Sequence, residues 1–363
     1  MKKLIISTYD DVTNPHYCGG GARVIHEVAK RLSEKFEVTV LSWNHSNNNK
    51  ETIDGVTYER IGIPTHPKLG NFFFQLLLPF YAKKMKYDVW FESFGPPFTT
   101  SFLQLFTKKP VVGVVHMLSA EDMKRKYKIS LDRIENAGLR VYNNVIVTSK
   151  TLKDAIQDKS PFTKIHVVGN GIERVYKPKK KRDNVFLFVG RIEINQKGID
   201  LLLESFEKFK TTDKEDYKLI IVGYGIEDEV EKMEKLINNH PYRNDVDYKG
   251  RVEGKAKDGL YAKAKCLLVT SRFETYSVVS LEALSHGVPV IKYDLSGLKW
   301  IPSTCSLTVK QFDTIKYADA MNEVIRDKKY INNASTKGID YAKSHTWDAI
   351  SNKYEVVANS LIK

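Results

Sequence analysis

Two glutamates, Glu274 and Glu282, bracket a helix start in the stretch SRFETYSVVSLEALSHGVPVIKY, which runs from Ser271 to Tyr293. The apolar run Cys266 to Val269 reads as a buried strand that stops at Thr270-Ser271. Glu274 falls in the following turn, and Thr275 or Ser277 can cap a helix covering roughly Val278 to Ser285. Gly287-Val288-Pro289 ends that helix, and Val290-Ile291 opens another strand. A helix start offers free backbone N–H groups, which bind anionic phosphate. With a carboxylate on either side, the pattern suits a diphosphate carrying a sugar at one end and a ribose at the other. The same spacing also fits an ordinary αβ unit with two solvated glutamates.

Other residues add charge and close backbone. Gly190-Arg191 follows the strand Val185 to Val189, and Lys197-Gly198 precedes a helix from Ile199 to Phe209. An arginine and a lysine flanking a strand-to-helix loop can neutralise a diphosphate, the first through paired hydrogen bonds and the second as a point charge. They can equally be two surface cations. Gly223-Tyr224-Gly225 ends the strand Lys218 to Val222, and Arg251-Val252 follows the short extended piece Val246 to Gly250. Near the start, Lys3 to Thr8 is strand-like and Cys18-Gly19-Gly20-Gly21 precedes the helical spacing of Val24, Val28 and Leu32. His116 closes the apolar run VVGVV, at what would be the crevice side of an open α/β sheet.

These elements need a frame to hold them. Strands at Phe36 to Ser42, Val56 to Ile61, Tyr87 to Phe91, Val111 to His116, Val145 to Ser149 and Ile165 to Val168 complete a first αβ series. Gly169-Asn170-Gly171 marks the boundary, so the domains are expected at 1–169, joined by a C-terminal helix over 347–363, and at 170–346. The tail reads as two helices, Tyr317 to Asp327 and Trp347 to Leu361. Two series, each opening strand–glycine–helix, predict twin doubly wound Rossmann-like α/β domains facing each other across a cleft. Asn71 to Lys86 (NFFFQLLLPFYAKKMK) is apolar and then basic, as in a helix lying on a membrane surface. A core-packing helix interrupted by Pro79 is the preferred reading.

Composition narrows the classes. The 363 residues carry a formal net charge of +13, with 42% hydrophobic and 28% charged side chains. That balance fits a globular protein with anionic partners such as nucleotides or phospholipid head groups, and no nucleic-acid motif accompanies it. Three scattered cysteines form neither a disulfide framework nor a zinc pattern. No run reaches a membrane span and the first residues lack the pattern of a signal peptide, so a cytoplasmic protein is expected, with a peripheral seat on the inner face of the cell membrane left open.

Taken in order, these motifs resemble the GT-B glycosyltransferases, in particular the retaining group known as glycosyl transferases group 1, or glycosyltransferase family 4. The resemblance runs nearly end to end. Its most specific part is Glu274-x7-Glu282 with Gly287-Val288-Pro289-Val290, joined by Gly190-Arg191, Lys197-Gly198, Gly223-x-Gly225, Gly19-Gly20 with Arg23, and Asn170-Gly171. It implies a nucleotide-sugar donor, UDP- or GDP-linked, bound chiefly in the second domain, and a glycan or lipid-linked acceptor chiefly in the first. Arg191 and Lys197 would hold the diphosphate, Glu282 the ribose and Glu274 the donor sugar. Amides at Tyr276, Ser277 and Val278 would meet the phosphates beside Thr275, while Arg251-Val252 would lie against the base. His116 would contact the sugar near the reacting carbon, and Gly19-Gly20 would approach the phosphate. The resemblance further implies same-face attack with the leaving phosphate taking the acceptor proton, so neither a metal nor a protein nucleophile is expected.

Three positions depart from the family pattern. Ser277 stands where a glycine is common, Gly169 where a proline is, and the interval from Arg191 to Lys197 is one residue longer than in many members. None removes a charged contact, and together they leave donor identity open. A GT-B sugar phosphorylase and a non-catalytic subunit that binds nucleotide sugar or membrane remain the alternatives. The acceptor loops, Thr13 to Tyr17 and Thr65 to Asn71, carry no readable code.

Overall fold

Apart from one hairpin, the paired strands run parallel, so helical crossovers must return the chain to the same sheet end each time. The computed structural model describes residues 1–15, 20–46, 48–179, 181–212 and 215–362. It divides into two units, residues 1–171 with 347–363, and residues 172–346.

The first unit contains β1 (Lys2–Ser7), α1 (Gly20–Leu32), β2 (Phe36–Trp43), β3 (Lys50–Ile53), β4 (Val56–Ile61), α2 (Pro67–Lys84) and β5 (Val89–Ser93). It continues with β6 (Val111–Val115), α3 (Ser119–Tyr127), α4 (Asp132–Val141), β7 (Asn144–Val147), α5 (Lys150–Lys159) and β8 (Lys164–Val167). Its eight-stranded sheet has the order β3-β4-β2-β1-β5-β6-β7-β8. The two-residue period of a strand sends Leu4 and Ile6 to one face, where they meet Val24 and Val28 of α1, and Ile5 to the other, with Phe74 of α2 and Leu139 of α4. Both faces are therefore covered, as a parallel sheet requires.

The second unit runs β9 (Val185–Val189), α6 (Ile194–Lys197), α7 (Ile199–Lys210), β10 (Lys218–Val222), α8 (Glu227–Asn238), β11 (Val246–Tyr248) and α9 (Gly254–Lys263). Then come β12 (Cys266–Val269), α10 (Val278–Ser285), β13 (Val290–Tyr293), β14 (Ser306–Val309), α11 (Thr314–Arg326) and α12 (Lys328–Lys343). The sheet order is β11-β10-β9-β12-β13-β14, so the chain starts beside the middle and reverses direction between β9 and β12. That order is the doubly wound one in which ligands bind at the carboxyl ends of the strands flanking the reversal.

The tail holds three helices where two are legible in the sequence, because α12 (KKYINNASTKGIDYAK) hides its apolar positions among polar ones. The last, α13 (Trp347–Leu361), belongs to the first unit: Trp347, Ile350, Tyr354 and Val357 sit in the core that holds Leu4 and Val24. The Tyr354 and Phe91 rings meet edge to face at 5.7 Å. A second correction concerns α2, which runs unbroken through Pro79. Most of the strongly charged stretch 121–128 folds as α3.

Truncating Tyr354 to alanine removes a fully enclosed ring from this core. Tyr354→Ala is expected to destabilise the first unit by about 3–5 kcal/mol, read from urea unfolding followed by amide exchange on β1 and β5. Unchanged protection there would show that α13 does not hold the sheet.

Candidate active site at the reversal of each sheet

In the second unit the loops leaving β9 and β12 stand side by side. After β9 the backbone passes Gly190, Arg191 and buried Ile192, then makes the single turn of α6, which a sequence reading takes as plain loop. Lys197 is its last residue, and Gly198, with φ of 62°, separates it from α7. The other loop reaches across. Ser271 is buried, the Thr270 hydroxyl donates to the Lys197 carbonyl at 3.1 Å, and the Arg272 amide donates to the Gln196 carbonyl at 2.9 Å. The Arg272 guanidinium donates to both carboxylate oxygens of Asp200, at 2.8 and 2.6 Å, and to the Asn195 carbonyl at 3.0 Å. Burial works against ionisation of Asp200, but these bonds hold its carboxyl below the usual range. Arg272 and Asp200 thus staple α6 in place. Neither is marked by the motifs, although a cation two residues before Glu274 was a visible signal.

Because α6 is fixed, Lys197 meets Glu274: Nζ lies 2.5 Å from Oε1, with side chains 17% and 10% exposed. The Ser271 hydroxyl donates to the same oxygen at 2.9 Å. Arg191 is not drawn into this group. It is 62% exposed and faces Glu193 at 3.4 Å, leaving its cation at the rim. Three residues past Glu274, Ser277 caps α10, its Oγ accepting from the Ser280 amide at 3.4 Å and sharing a 2.7 Å hydrogen bond with the Ser280 hydroxyl. The serine in place of the common glycine is therefore a capping residue. Thr275 and Tyr276 are half-buried between Glu274 and this cap, and the Tyr276 ring stacks on Trp300 at 4.4 Å and 5°. Val278 opens the helix, whose first amides have no partner within it.

The far end of α10 is closed by a Schellman arrangement. Gly287, with φ of 67°, donates to the Leu284 carbonyl at 2.9 Å, and Val288 donates to that of Ala283 at 2.8 Å. Between the two ends, Glu282 accepts from Lys257 Nζ and from the Tyr261 hydroxyl, each at 2.8 Å. Burial, then the Glu282 charge, raise the Tyr261 hydroxyl well above the ordinary range, so it stays a donor. Lys257 and Tyr261 sit on α9, outside any motif, and hold the carboxylate that the sequence reading assigns to the ribose.

Gly223 and Gly225 allow close backbone approach. A Cβ on Gly223 would lie 1.7 Å from the Gly190 carbonyl oxygen, and one on Gly225 would lie 2.2 Å from that of Ile192. The loops after β9 and β10 are in backbone contact there, which only glycine allows. Arg251 reaches over the Tyr224 ring at 4.9 Å and pairs with Glu253, while Val252 is half-buried against the core.

The first unit has its own reversal, between β1 and β5. Gly20 opens α1, whereas Gly19 lies outside the described residues. A Cβ on Gly21 would stand 3.9 Å from the His116 ring, so the start of α1 and the end of β6 are neighbours. The His116 Nε2 is enclosed with no hydrogen-bond partner among the described residues, and burial pushes the imidazole down to about 4. It is a neutral ring at neutral pH. The loop after β1 is fixed by a group that the sequence reading misses. Asp11 accepts from Ser42 at 2.7 Å, from the Thr13 hydroxyl at 2.8 Å and from Arg60 at 3.1 Å, and His45 Nε2 lies 3.1 Å from the same carboxylate. Burial opposes its ionisation, but these donors and the Arg60 charge hold the carboxyl low.

Comparison with known proteins accords with this architecture. The model for glycosyl transferases group 1 matches residues 170–342, and that for glycosyltransferase family 4 matches residues 18–175. An uncharacterized glycosyltransferase of Methanocaldococcus jannaschii is 26% identical over 93% of each chain. Sucrose-phosphate synthase from Thermosynechococcus elongatus superposes with a TM-score of 0.80 at 17% identity over 99% of each chain. HepE of Anabaena, solved in complex with UDP, gives 0.73 at 16% identity over 99% of this chain and 100% of its own. Twin parallel sheets with charged loops at their reversals and two family models that between them span most of the sequence agree: the chain belongs to the glycosyl transferases group 1 and is a glycosyltransferase of the two-domain GT-B fold.

Proposed function

We propose that the protein moves a sugar from a nucleoside diphosphate sugar to a hydroxyl of a glycan or lipid-linked acceptor, with retention at the anomeric carbon and without a metal ion. The observation that carries this reading is the Lys197–Glu274 pair, set between the loops after β9 and β12 and beside the start of α10. A diphosphate lying at those amides gains the helix dipole and Lys197, and the exposed Arg191 can swing onto it. Glu282, already oriented by Lys257 and Tyr261, suits a ribose diol. Glu274 then faces the sugar. HepE, similar in fold, was solved with UDP, and the donor in this reading is UDP- or GDP-linked.

In the reaction the bond between the anomeric carbon and the phosphate oxygen breaks, and its electron pair stays on the diphosphate. Lys197, Arg191 and the α10 amides stabilise that charge. The acceptor hydroxyl attacks from the same face and passes its proton to the leaving phosphate oxygen. No side chain need act as nucleophile, which sets this apart from paired-carboxylate glycosidases. In the first unit, the enclosed His116 Nε2 is a neutral hydrogen-bonding atom suited to a hydroxyl.

Lys197→Ala is expected to lower kcat about tenfold or more, measured by release of nucleotide with an acceptor pool, with a thermal melt to check that the variant folds. Unchanged turnover would remove Lys197 from the site. UDP or GDP sugars should raise the melting temperature of the native protein by linkage, and Glu282→Ala should abolish that shift. A shift that survives would place the ribose elsewhere. Release of sugar phosphate that depends on added inorganic phosphate would instead favour a phosphorylase.

His116 generates a pH test. Its ordinary value is 6.5 and its folded value about 4, so the folded state disfavours the charged ring. The resulting contribution to stability is complete above 6.5 and is lost as pH falls through about 4. Between those limits the melting temperature of His116→Gln should fall less than that of the native protein. Parallel falls would show that burial does not hold the ring neutral.

A further inference from the structure

Helix α2 has two apolar faces, and the sheet uses one. Phe74, Leu78 and Ala82 are buried in the core of the first unit. On the other side Leu69, Phe73, Leu76 and Phe80 are 53, 47, 56 and 64% exposed. At about 100° per residue these four positions fall within a stripe about 60° wide, and Lys83 and Lys84 continue it. The 3-10 turn Leu103–Phe106, which packs beside α2, adds Leu105 and Phe106 at 68% and 41% exposure. Lys83 Nζ stands 5.6 Å from the centroid of the Phe106 ring. A contiguous apolar patch on an otherwise charged protein marks an interaction site.

We propose that this face seats the protein on an anionic lipid bilayer, with the phenylalanines and leucines in the acyl boundary and the lysines at the head-group phosphates. Charge selects this occupant. From Gly62 to Tyr87 and from Phe94 to Ala120 the sequence has no aspartate or glutamate, while Lys83, Lys84, Lys86 and Lys108 are all exposed. A second copy docking symmetrically through this face would bring those cations against their own kind. A bilayer instead offers an apolar interior bordered by negative charge, which long lysine side chains reach while their stems stay on apolar surface. Among the described residues no helix is long and apolar enough to cross a membrane, so α2 lies along the surface. The preferred sequence reading, a core helix, therefore accounts for one face of α2 and the membrane-surface reading for the other.

The test is sedimentation with vesicles of phosphatidylglycerol and phosphatidylcholine in about equal parts, and with phosphatidylcholine alone, at about 0.05 and 0.5 M salt. The native chain should sediment with the anionic vesicles at low salt and not with the neutral ones. Apparent affinity should fall at least about tenfold in Phe73→Gln/Phe80→Gln and in Lys83→Gln/Lys84→Gln. Thermal melts check that the variants fold, and Leu76→Gln replaces the first pair if they do not. Failure of the native chain to sediment, or binding that both variants retain, overturns the proposal. So does a concentration-dependent dimer that Phe73→Gln/Phe80→Gln dissolves, which would assign the face to a second copy.

Discussion

A parallel sheet that starts in its middle has to reverse its winding once, and the right-handed sense of its crossovers then dictates where each helix lies. Helices on the two wings cover opposite faces, so the loops that leave the two central strands part from each other and open a crevice at their carboxyl ends. In the second unit those strands are β9 and β12. Lys197, Glu274, Ser277 and the start of α10 all come after one or other of them. The chemistry gathers there because the topology leaves that point uncovered, whatever residues fill it.

The residues that fill it are balanced in charge before any ligand arrives. Lys197 and Glu274 are both mostly enclosed, and each alone would carry a desolvation cost that their contact offsets. The pair also holds the ammonium in one place, helped by the Arg272–Asp200 bonds that pin α6 from below. A dianionic group entering the crevice would share Lys197 with Glu274, whose carboxylate keeps the Ser271 hydroxyl as a second partner. Arg191 differs: exposed and weakly held, it has little to give up on turning toward an anion.

Much of this frame is legible in the sequence because buried parallel strands are short apolar runs. The bounds of β12, α10 and β13 can be read from CLLV, the Ser277 cap and Gly287-Val288-Pro289. Elements without such contrast are not. Strand β3 (KETI) is half-exposed at an edge, and only Asp54-Gly55, with φ of 48° and 80°, signals its hairpin. β14 and α12 are likewise polar on one side. At the candidate site the motif glutamates stand out, whereas their holders, Arg272 with Asp200 and Lys257 with Tyr261, come from elements distant in sequence. Partners of that kind become visible only once the chain has folded. For the same reason Asp11, His45 and Arg60 look like scattered polar residues until three strands and a loop bring them together.

The position of α13 sets an order on assembly. The core that begins with Leu4 and Val24 is finished by Trp347, Ile350 and Tyr354, so the first unit spans an interval of sequence that the whole second unit interrupts. During synthesis the second unit has all its strands and helices before the first has its last helix. One face of the N-terminal sheet must therefore wait, with apolar surface around Phe91 open, until α13 is free to cover it. In a living cell that interval is when the nascent protein is most exposed to mispairing and to chaperones, and its length is set by the time needed to translate residues 172–346.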